Sequence, residues 1–281
     1  MEFLLEPFAF EFFRNGTLAA VLAGALCGMV GVYIVLRGMS YIGHGLSHAI
    51  FGGAVVSFVL QWNFYLGAGL WGFLAALLIN LTVRRTKIPA DAAIGVITTA
   101  SFAVGVALIS RYQGFTRSFD AALFGNILGV TQQDVWIVAG VGVAAALAIF
   151  LLYKQLLFTT FDPEVAQVYG VRTEWIDTAF ALILASVLIV SMQILGVTLI
   201  AAALVTPAIT ARLLTDSFDR MILLSTAIGG LTGFGGMYLS FYVDVASGAT
   251  IVLLQASVFV VVLGIMALRQ QAGKRLVAFD V

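Results

Sequence analysis

Charged residues are scarce in this sequence. Only 10% of its 281 residues are Asp, Glu, Lys or Arg, whereas 62% are apolar, and the mean hydropathy is +1.08. Soluble domains carry about 25% charged residues, so a chain with so little charge cannot cover a water-facing surface. The composition therefore predicts a membrane protein, and it excludes a soluble ATPase, kinase or binding domain within this chain.

Disulfides, excess charge of one sign and a nucleotide-binding loop are also missing. The single Cys27 cannot form an internal disulfide, and its apolar surroundings favour a packing role. Basic and acidic residues balance at 14 each, which removes the electrostatic basis for binding nucleic acid. No Gly-x-x-x-x-Gly-Lys-Ser/Thr motif occurs. If transport uses ATP, another chain must bind it.

Apolar runs predict an all-α, polytopic membrane protein with eight to nine transmembrane helices. A membrane helix needs about 20 apolar residues. Candidate runs cover 17–36, 40–60, 64–82, 92–110, 134–153, 175–194, 196–213, 221–242 and 249–268. The turn at 193–196 is very tight, so broken helices there would lower the count to eight. We expect a transmembrane domain over 17–268, an amphipathic segment at 1–16 and a cytoplasmic tail at 269–281.

Basic residues predict the orientation, because Lys and Arg accumulate in cytoplasmic loops. If the loop that contains Arg84 is cytoplasmic, alternation of the spans leaves only Arg14, Arg111 and Arg117 outside among the 14 basic residues. The N-terminus would then be external and the C-terminus cytoplasmic.

A short helix outside the bilayer is predicted in the cytoplasmic stretch 154–174. Asp162 is a suitable N-cap, Pro163 suits the first helical position, and Glu164 favours the positive end of the helix dipole. Gly170 fits just past the end of the helix. Three residues at i, i+3 and i+4 spacing share one apolar face, namely Val165, Val168 and Tyr169. An exposed face of this kind needs a partner protein or the lipid surface.

The only two histidines, His44 and His48, lie four residues apart near the start of the second run. This spacing places both imidazoles on one helix face, where neutral nitrogens can hold one divalent transition metal ion. Interhelical hydrogen bonds are the simpler explanation for a buried histidine. The pairing and depth of these two favour a metal-related role, because ionisable groups inside the bilayer are costly and normally face a cavity or a partner. Two ligands alone leave a metal site incomplete.

Carboxylates that could complete the site are few. Asp244, at the outer end of the eighth run, is a candidate for the metal path. Asp91 and Asp134 are more simply explained as helix N-caps, and Asp120 lies in the outer loop. No acidic residue falls clearly in the middle of a run, so the proton relay of a secondary transporter is not visible.

Six ordered motifs resemble the membrane subunits of bacterial and archaeal ABC importers for zinc, manganese and iron, over about residues 17–265. They are YIGHGLSHAIFGG at 41–53, DAAIGV at 91–96, LFGNIL at 123–128, DPEVAQVYGV at 162–171, LVTPAITARLL at 204–214 and SGATIVL at 247–253. His48 matches the family's histidine, whereas His44 stands where the family usually has aspartate. Imidazole in place of a carboxylate favours zinc or iron over manganese. Asp120 does not match the family's acidic position, so no role is transferred to it.

The resemblance implies a type II ABC importer permease in a prokaryotic plasma membrane, surrounded by lipid. A second permease subunit, in a homodimer, would flank the path, cytoplasmic ABC ATPases would drive it, and an extracytoplasmic binding protein would deliver the metal. The stretch 162–171 would be the coupling helix that docks into the ATPase. The permease would be a transport subunit and not an enzyme, with no permanent cofactor and a divalent metal ion as its substrate. His44 and His48 would hold or gate that ion.

Two other functions stay open at the level of the sequence. A stand-alone secondary metal transporter would need no ATPase but would need a carboxylate inside the bilayer. A structural or assembly subunit would use the two histidines for packing alone.

Overall fold

The computed structural model describes residues 6–112, 123–125 and 127–277, and within these ranges the secondary structure is helical without a β-strand. The helices are α1 Glu11–Leu36, α2 Ser40–Val59, α3 Phe64–Arg85, α4 Ala90–Arg111, α5 Gln132–Leu151, α6 Tyr153–Phe161, α7 Pro163–Val168, α8 Thr173–Leu195, α9 Ile200–Leu214, α10 Phe218–Val243 and α11 Ser247–Val277. Single 3-10 turns occur at Glu6–Ala9 and Ile127–Gly129. Asp120 and Arg117 lie outside the described residues.

Eight of these helices are long and apolar enough to cross a bilayer, namely α1 to α5, α8, α10 and α11. Their number confirms the prediction of an all-α protein with eight to nine membrane helices. Helix α1 begins at Glu11, before the predicted start of the first run at 17. Helix α11 continues to Val277, past the predicted end of the last run at 268.

The seventh apolar run forms only the short helix α9, which has 15 residues. Such a helix is about 22 Å long, less than the roughly 30 Å of the hydrocarbon core. A non-helical turn over 196–199 joins it to α8, and Gly196 and Val197 of this turn are buried. Non-helical backbone is tolerated at membrane depth where protein covers it. Helix α9 is therefore too short to cross the hydrocarbon core by itself, so the seventh run does not form a complete helical span.

Helices α1 and α10 approach each other through glycine. A Cβ atom added to Gly24 would lie 2.2 Å from the carbonyl oxygen of Gly229, and one added to Gly229 would lie 2.0 Å from that of Gly24. One turn away, the Ser225 hydroxyl donates to the carbonyl of Gly28 at 2.6 Å. Membrane helices associate mainly through such close packing, so this contact holds α1 against α10.

The structure corrects the roles predicted for two aspartates. Thr131 is the N-cap of α5, and Asp134 completes a capping box by accepting from the Thr131 N–H at 2.9 Å. Asp134 therefore supports the cap without being the N-cap. Helix α4 begins at Ala90, with Pro89 as its N-cap residue. Asp91 is thus not an N-cap but lies in the first turn, where the helix dipole favours a carboxylate.

We expect Gly24→Ala to lower the stability of the folded protein by about 1–3 kcal/mol, because the new methyl group meets backbone that cannot move aside. Gly140→Ala is the matched control, since Gly140 faces open space on α5. Thermal unfolding of the detergent-purified variants measures the difference. Equal melting temperatures would contradict the close contact between α1 and α10.

Candidate metal path and coupling surface

The two histidines lie on successive turns of α2 with their Nε2 atoms 3.3 Å apart. Both side chains are half-buried. Two nitrogens bound to one zinc-like ion in tetrahedral geometry also lie about 3.3 Å apart, given bonds of about 2.0–2.1 Å. The predicted pairing of His44 and His48 is therefore present, at a spacing that suits a shared ion.

Aromatic rings surround this pair. The ring of Phe102, from α4, lies 4.9 Å from that of His48, and the ring of Tyr41 lies 5.9 Å from that of His44. The buried Nδ1 atom of His48 has no hydrogen-bond partner among the described residues. A metal-bound imidazole normally donates its other N–H to an acceptor. The part of the chain that the structure describes does not supply that acceptor.

The non-helical turn at 196–199, which forms a break between α8 and α9, lies against α2, the helix that carries the two histidines. The hydroxyl of Ser47 contacts the carbonyl of His44 at 2.8 Å and that of Val197, in the break, at 3.3 Å. The sequence analysis did not predict this contact. The one feature that could have indicated it is a serine next to the second histidine of an apolar helix. The contact places interrupted backbone next to the histidines.

Leu123, from the stretch predicted as an outer loop, lies on the other side of the same break. Thr198 donates to the carbonyl of Leu123 through its N–H at 3.3 Å and its hydroxyl at 2.8 Å. Gly196 has φ +82°, and a Cβ atom there would lie 2.4 Å from the Leu123 carbonyl oxygen. Glycine at 196 therefore permits both the turn and the close approach of the loop.

Asp244 does not join the histidines in this structure. It is exposed at the end of α10, in the left-handed conformation, and it lines an outer groove with Phe12 and Ser240. Helix α10 packs mainly on α1, α11 and α9, whereas α2 packs mainly on α4, α3 and α9. Within 6–112, 123–125 and 127–277, no group of three or more His, Cys, Asp or Glu residues is placed to hold a metal.

Helix α7 is a short capped helix within the predicted stretch 162–171. The Asp162 carboxylate accepts from the Val165 N–H at 2.9 Å, and Pro163 occupies the first turn. Gly170 follows the helix with φ +81°, a conformation that favours glycine. The local structure therefore agrees with the cap and stop residues that the sequence predicts.

The face of α7 that points away from the rest of the protein is apolar and exposed. Val168 is 85% exposed, Tyr169 is 76% exposed and Val165 is 38% exposed, whereas Ala166 is buried against the protein. Nearby, the Tyr153 hydroxyl at the start of α6 donates to the Asp219 carboxylate, which raises the pKa of Tyr153 to about 12. This bond joins the helix before α7 to the start of α10.

The family of the chain follows from comparison with known proteins. The model of the ABC 3 transport family matches residues 9–266. The chain belongs to the ABC 3 transport family: it is a multi-pass membrane permease of an ABC transporter and not an enzyme.

Individual relatives match over nearly their whole length. The chain is 40% identical over 260 residues to the manganese import system permease protein ScaB of Streptococcus gordonii, which covers 92% of this chain and 93% of that protein. It is 35% identical over 259 residues to the chelated iron transport system membrane protein YfeC of Yersinia pestis, with coverages of 92% and 88%. The solved structure of PsaBC from Streptococcus pneumoniae in complex with Fab matches with a TM-score of 0.84 at 37% identity, covering 92% and 94% of the two chains. These matches confirm the predicted permease fold.

We expect Gly196→Ala to destabilise the protein more than Gly38→Ala does. Both glycines have positive φ, but Gly38 faces open space, whereas a Cβ atom at 196 meets the outer loop. A positive φ costs alanine about 1–2 kcal/mol at 38. Gly196, with φ +82° and ψ 157°, has a backbone conformation that is essentially restricted to glycine and costs other residues about 1–3 kcal/mol, and the collision adds about 1–3 kcal/mol at 196 alone. Thermal unfolding of the two variants tests this, and equal losses would contradict the contact between the break and the loop.

Proposed function

We propose that this chain forms the path of an ATP-driven importer of divalent transition metal ions in a prokaryotic plasma membrane, with His44 and His48 as contacts for the ion. The observation that carries this proposal is the pair of Nε2 atoms 3.3 Å apart beside the break before α9. The names of the relatives support the substrate class, because ScaB is a manganese permease and YfeC belongs to a chelated iron system.

The donor atoms bear on which ion is carried. Two imidazoles suit iron and zinc, whereas oxygen ligands suit manganese. His44, where the family resemblance places aspartate, replaces an oxygen donor with a nitrogen donor. We therefore propose that iron or zinc competes with manganese at this site more strongly than it would at an aspartate–histidine pair.

A second permease subunit completes the path in this proposal. Two ligands do not fill the coordination of a transition metal ion, and the described residues offer no third His, Cys, Asp or Glu nearby. Closed two-fold symmetry is the commonest arrangement of identical subunits. A homodimer would place the half-buried histidine pair of each subunit near the axis, where four imidazoles become available.

The exposed face of α7 suits a cytoplasmic ATPase. Val168 and Tyr169 are among the most exposed large apolar side chains in the described chain, and exposed apolar surface outside the bilayer marks an interaction site. An extracytoplasmic binding protein would deliver the ion to the opposite face. A stand-alone secondary transporter would leave the exposed face of α7 without a role, and membership of an ABC family argues against it.

We expect His48→Ala to reduce metal uptake by at least about tenfold, because each lost metal ligand removes more than about 1.4 kcal/mol of the binding that holds the ion in the path. Uptake of Mn²⁺, Fe²⁺ and Zn²⁺ into proteoliposomes that contain the permease, its ATPase and its binding protein measures the effect. Unchanged uptake of all three ions would leave the histidines with a packing role only.

The variant His44→Asp tests the choice of ion in the same assay. It restores an oxygen donor, so we expect uptake to shift toward Mn²⁺ relative to Zn²⁺ and Fe²⁺. An unchanged order of preference would show that position 44 does not select the ion.

We expect the double variant Glu164→Lys/Val168→Asp to lose the ATPase during purification, because a charge at 168 would have to be buried in the interface. Co-purification with the ATPase, followed by ATP hydrolysis, measures this. Asp216→Lys is the control, since it reverses a carboxylate that is 99% exposed on another cytoplasmic turn. Normal assembly of the double variant would exclude α7 as the docking helix.

A further inference from the structure

A buried arginine lies at the turn between α1 and the histidine helix α2. The side chain of Arg37 is only 9% exposed, although its sequence position predicts a residue of the cytoplasmic surface. A buried charge is tolerated when it is paired and its remaining hydrogen-bonding groups are satisfied. The partners of Arg37 therefore show what this turn is attached to.

Each guanidinium nitrogen of Arg37 has its own acceptor. Nε donates to Thr160 Oγ1 at 3.0 Å, Nη1 to Asp177 Oδ1 at 2.9 Å and Nη2 to Thr159 Oγ1 at 3.1 Å. The guanidinium carbon also lies 4.6 Å from the centroid of the Phe180 ring, within cation–π range. The planar fork of arginine holds these partners in fixed directions, which the single ammonium group of lysine cannot do.

The hydroxyl groups of Thr159 and Thr160 are oriented to accept hydrogen bonds from Arg37. The Thr160 hydroxyl donates to the carbonyl of Leu156 at 2.6 Å, and that of Thr159 donates to the carbonyl of Gln155 at 2.9 Å. Because a hydroxyl has one proton, only the lone pairs of these oxygens are left for the guanidinium. Helix α6 thus offers two oriented acceptors to one side chain.

These partners lie on both sides of the coupling helix α7. Thr159 and Thr160 are on α6, which ends at Phe161, directly before the N-cap of α7. Asp177 is in the early part of α8, the next helix after α7. Arg37 itself follows α1, and α2 begins at Ser40. The arginine therefore bonds both neighbours of α7 to the start of the helix that carries the histidines.

A second arginine strengthens the attachment to α8. Nη2 of Arg84, at the end of α3, lies 3.5 Å from Asp177 Oδ2, and its Nη1 lies 3.2 Å from Glu174. Glu174 is 82% exposed, so water can replace that bond at little cost. Burial lowers the pKa of Arg37 and the Asp177 carboxylate opposes this shift, but an arginine stays charged in either case. Arg37 has the most buried side chain of this cluster, at 9% exposed, whereas its partner Asp177 is 43% exposed.

We propose that Arg37 is a positioning residue that transmits movement of the coupling helix α7 to the histidine helix α2. The proposal rests on the proposed function, because it needs an ATPase that moves α7. With Arg37 in place, α6, α8 and the turn before α2 move as one unit. Without it, α7 follows the ATPase while α2 stays behind, so ATP is hydrolysed without movement of metal.

The test uses the complete importer, with permease, ATPase and binding protein, in proteoliposomes supplied with Mn²⁺ or Fe²⁺. Arg37→Lys keeps the charge but not the fork, and Thr160→Val removes one acceptor while keeping the shape of the side chain. We expect the ratio of ions taken up to ATP hydrolysed to fall about tenfold in Arg37→Lys and severalfold in Thr160→Val, within the range known for substitutions along coupling networks. Hydrolysis itself should persist in both variants.

Two controls make matched changes elsewhere. Arg212→Lys alters a cytoplasmic arginine that is paired with the exposed Asp216 at 3.4 Å. Thr232→Val removes a hydroxyl that bonds to the carbonyl of Ile228, in its own helix, at 2.7 Å. Both controls should keep the wild-type ratio. A wild-type ratio in Arg37→Lys and Thr160→Val as well would overturn the proposal.

The failure of this proposal is distinguishable from failure of the proposed function. If the wild-type importer shows no ATP-dependent uptake, the proposed function itself is wrong and the coupling role falls with it. If Arg37→Lys fails to assemble, Thr160→Val decides the matter. In that case, loss of uptake by Thr160→Val with hydrolysis retained supports the coupling role. Joint loss of assembly, hydrolysis and uptake in Thr160→Val shows a structural role and overturns the proposal.

Discussion

The bilayer contains no water that could replace a missing hydrogen bond, and this constraint governs where the polar groups of the chain lie. Backbone groups in hydrocarbon must be satisfied by the protein itself, so the membrane segments are helical. Where the helix is interrupted at 196–199, neighbouring protein buries Gly196 and Val197, whereas Thr198 is exposed. Ser47 contacts the carbonyl of Val197 on one side, and Thr198 donates to the carbonyl of Leu123 on the other. These contacts connect the interruption to the histidine helix α2 and to Leu123.

Helix α2 connects two groups of polar side chains. His44 and His48 lie within this helix, and Arg37 lies just before its first residue, in contact with the helices on both sides of α7. Apolar packing between membrane helices is tight but has little directional preference, whereas a guanidinium with three acceptors fixes direction. Directional bonds therefore lie beside α7, and close glycine packing lies between α1 and α10.

Features that depend on residues close together in the sequence could be predicted from the sequence. The cap residue Asp162 and the stop residue Gly170 indicated α7, because both act on their own helix ends. The four-residue spacing of His44 and His48 implied a shared face for the same reason. Asp91 was predicted wrongly as an N-cap, because Pro89 holds extended backbone and already fills that position. The seventh run was apolar enough for a membrane segment, but its composition did not show that its first residues form a turn. The metal role of the histidines stays a prediction.

The sequence by itself determined that the protein lies in a membrane, where its apolar runs are, that the short helix α7 forms and that the two histidines share a helix face. Each of these features depends on residues within one run or a few helical turns. Only the tertiary structure decided which polar groups meet. The bond between Arg37 and Asp177 joins residues 140 positions apart, and the contact between Ser47 and Val197 joins residues 150 positions apart. The same packing leaves Asp244 on α10, away from α2. Such pairings depend on how whole helices cross and pack, a property that no local pattern of side chains contains.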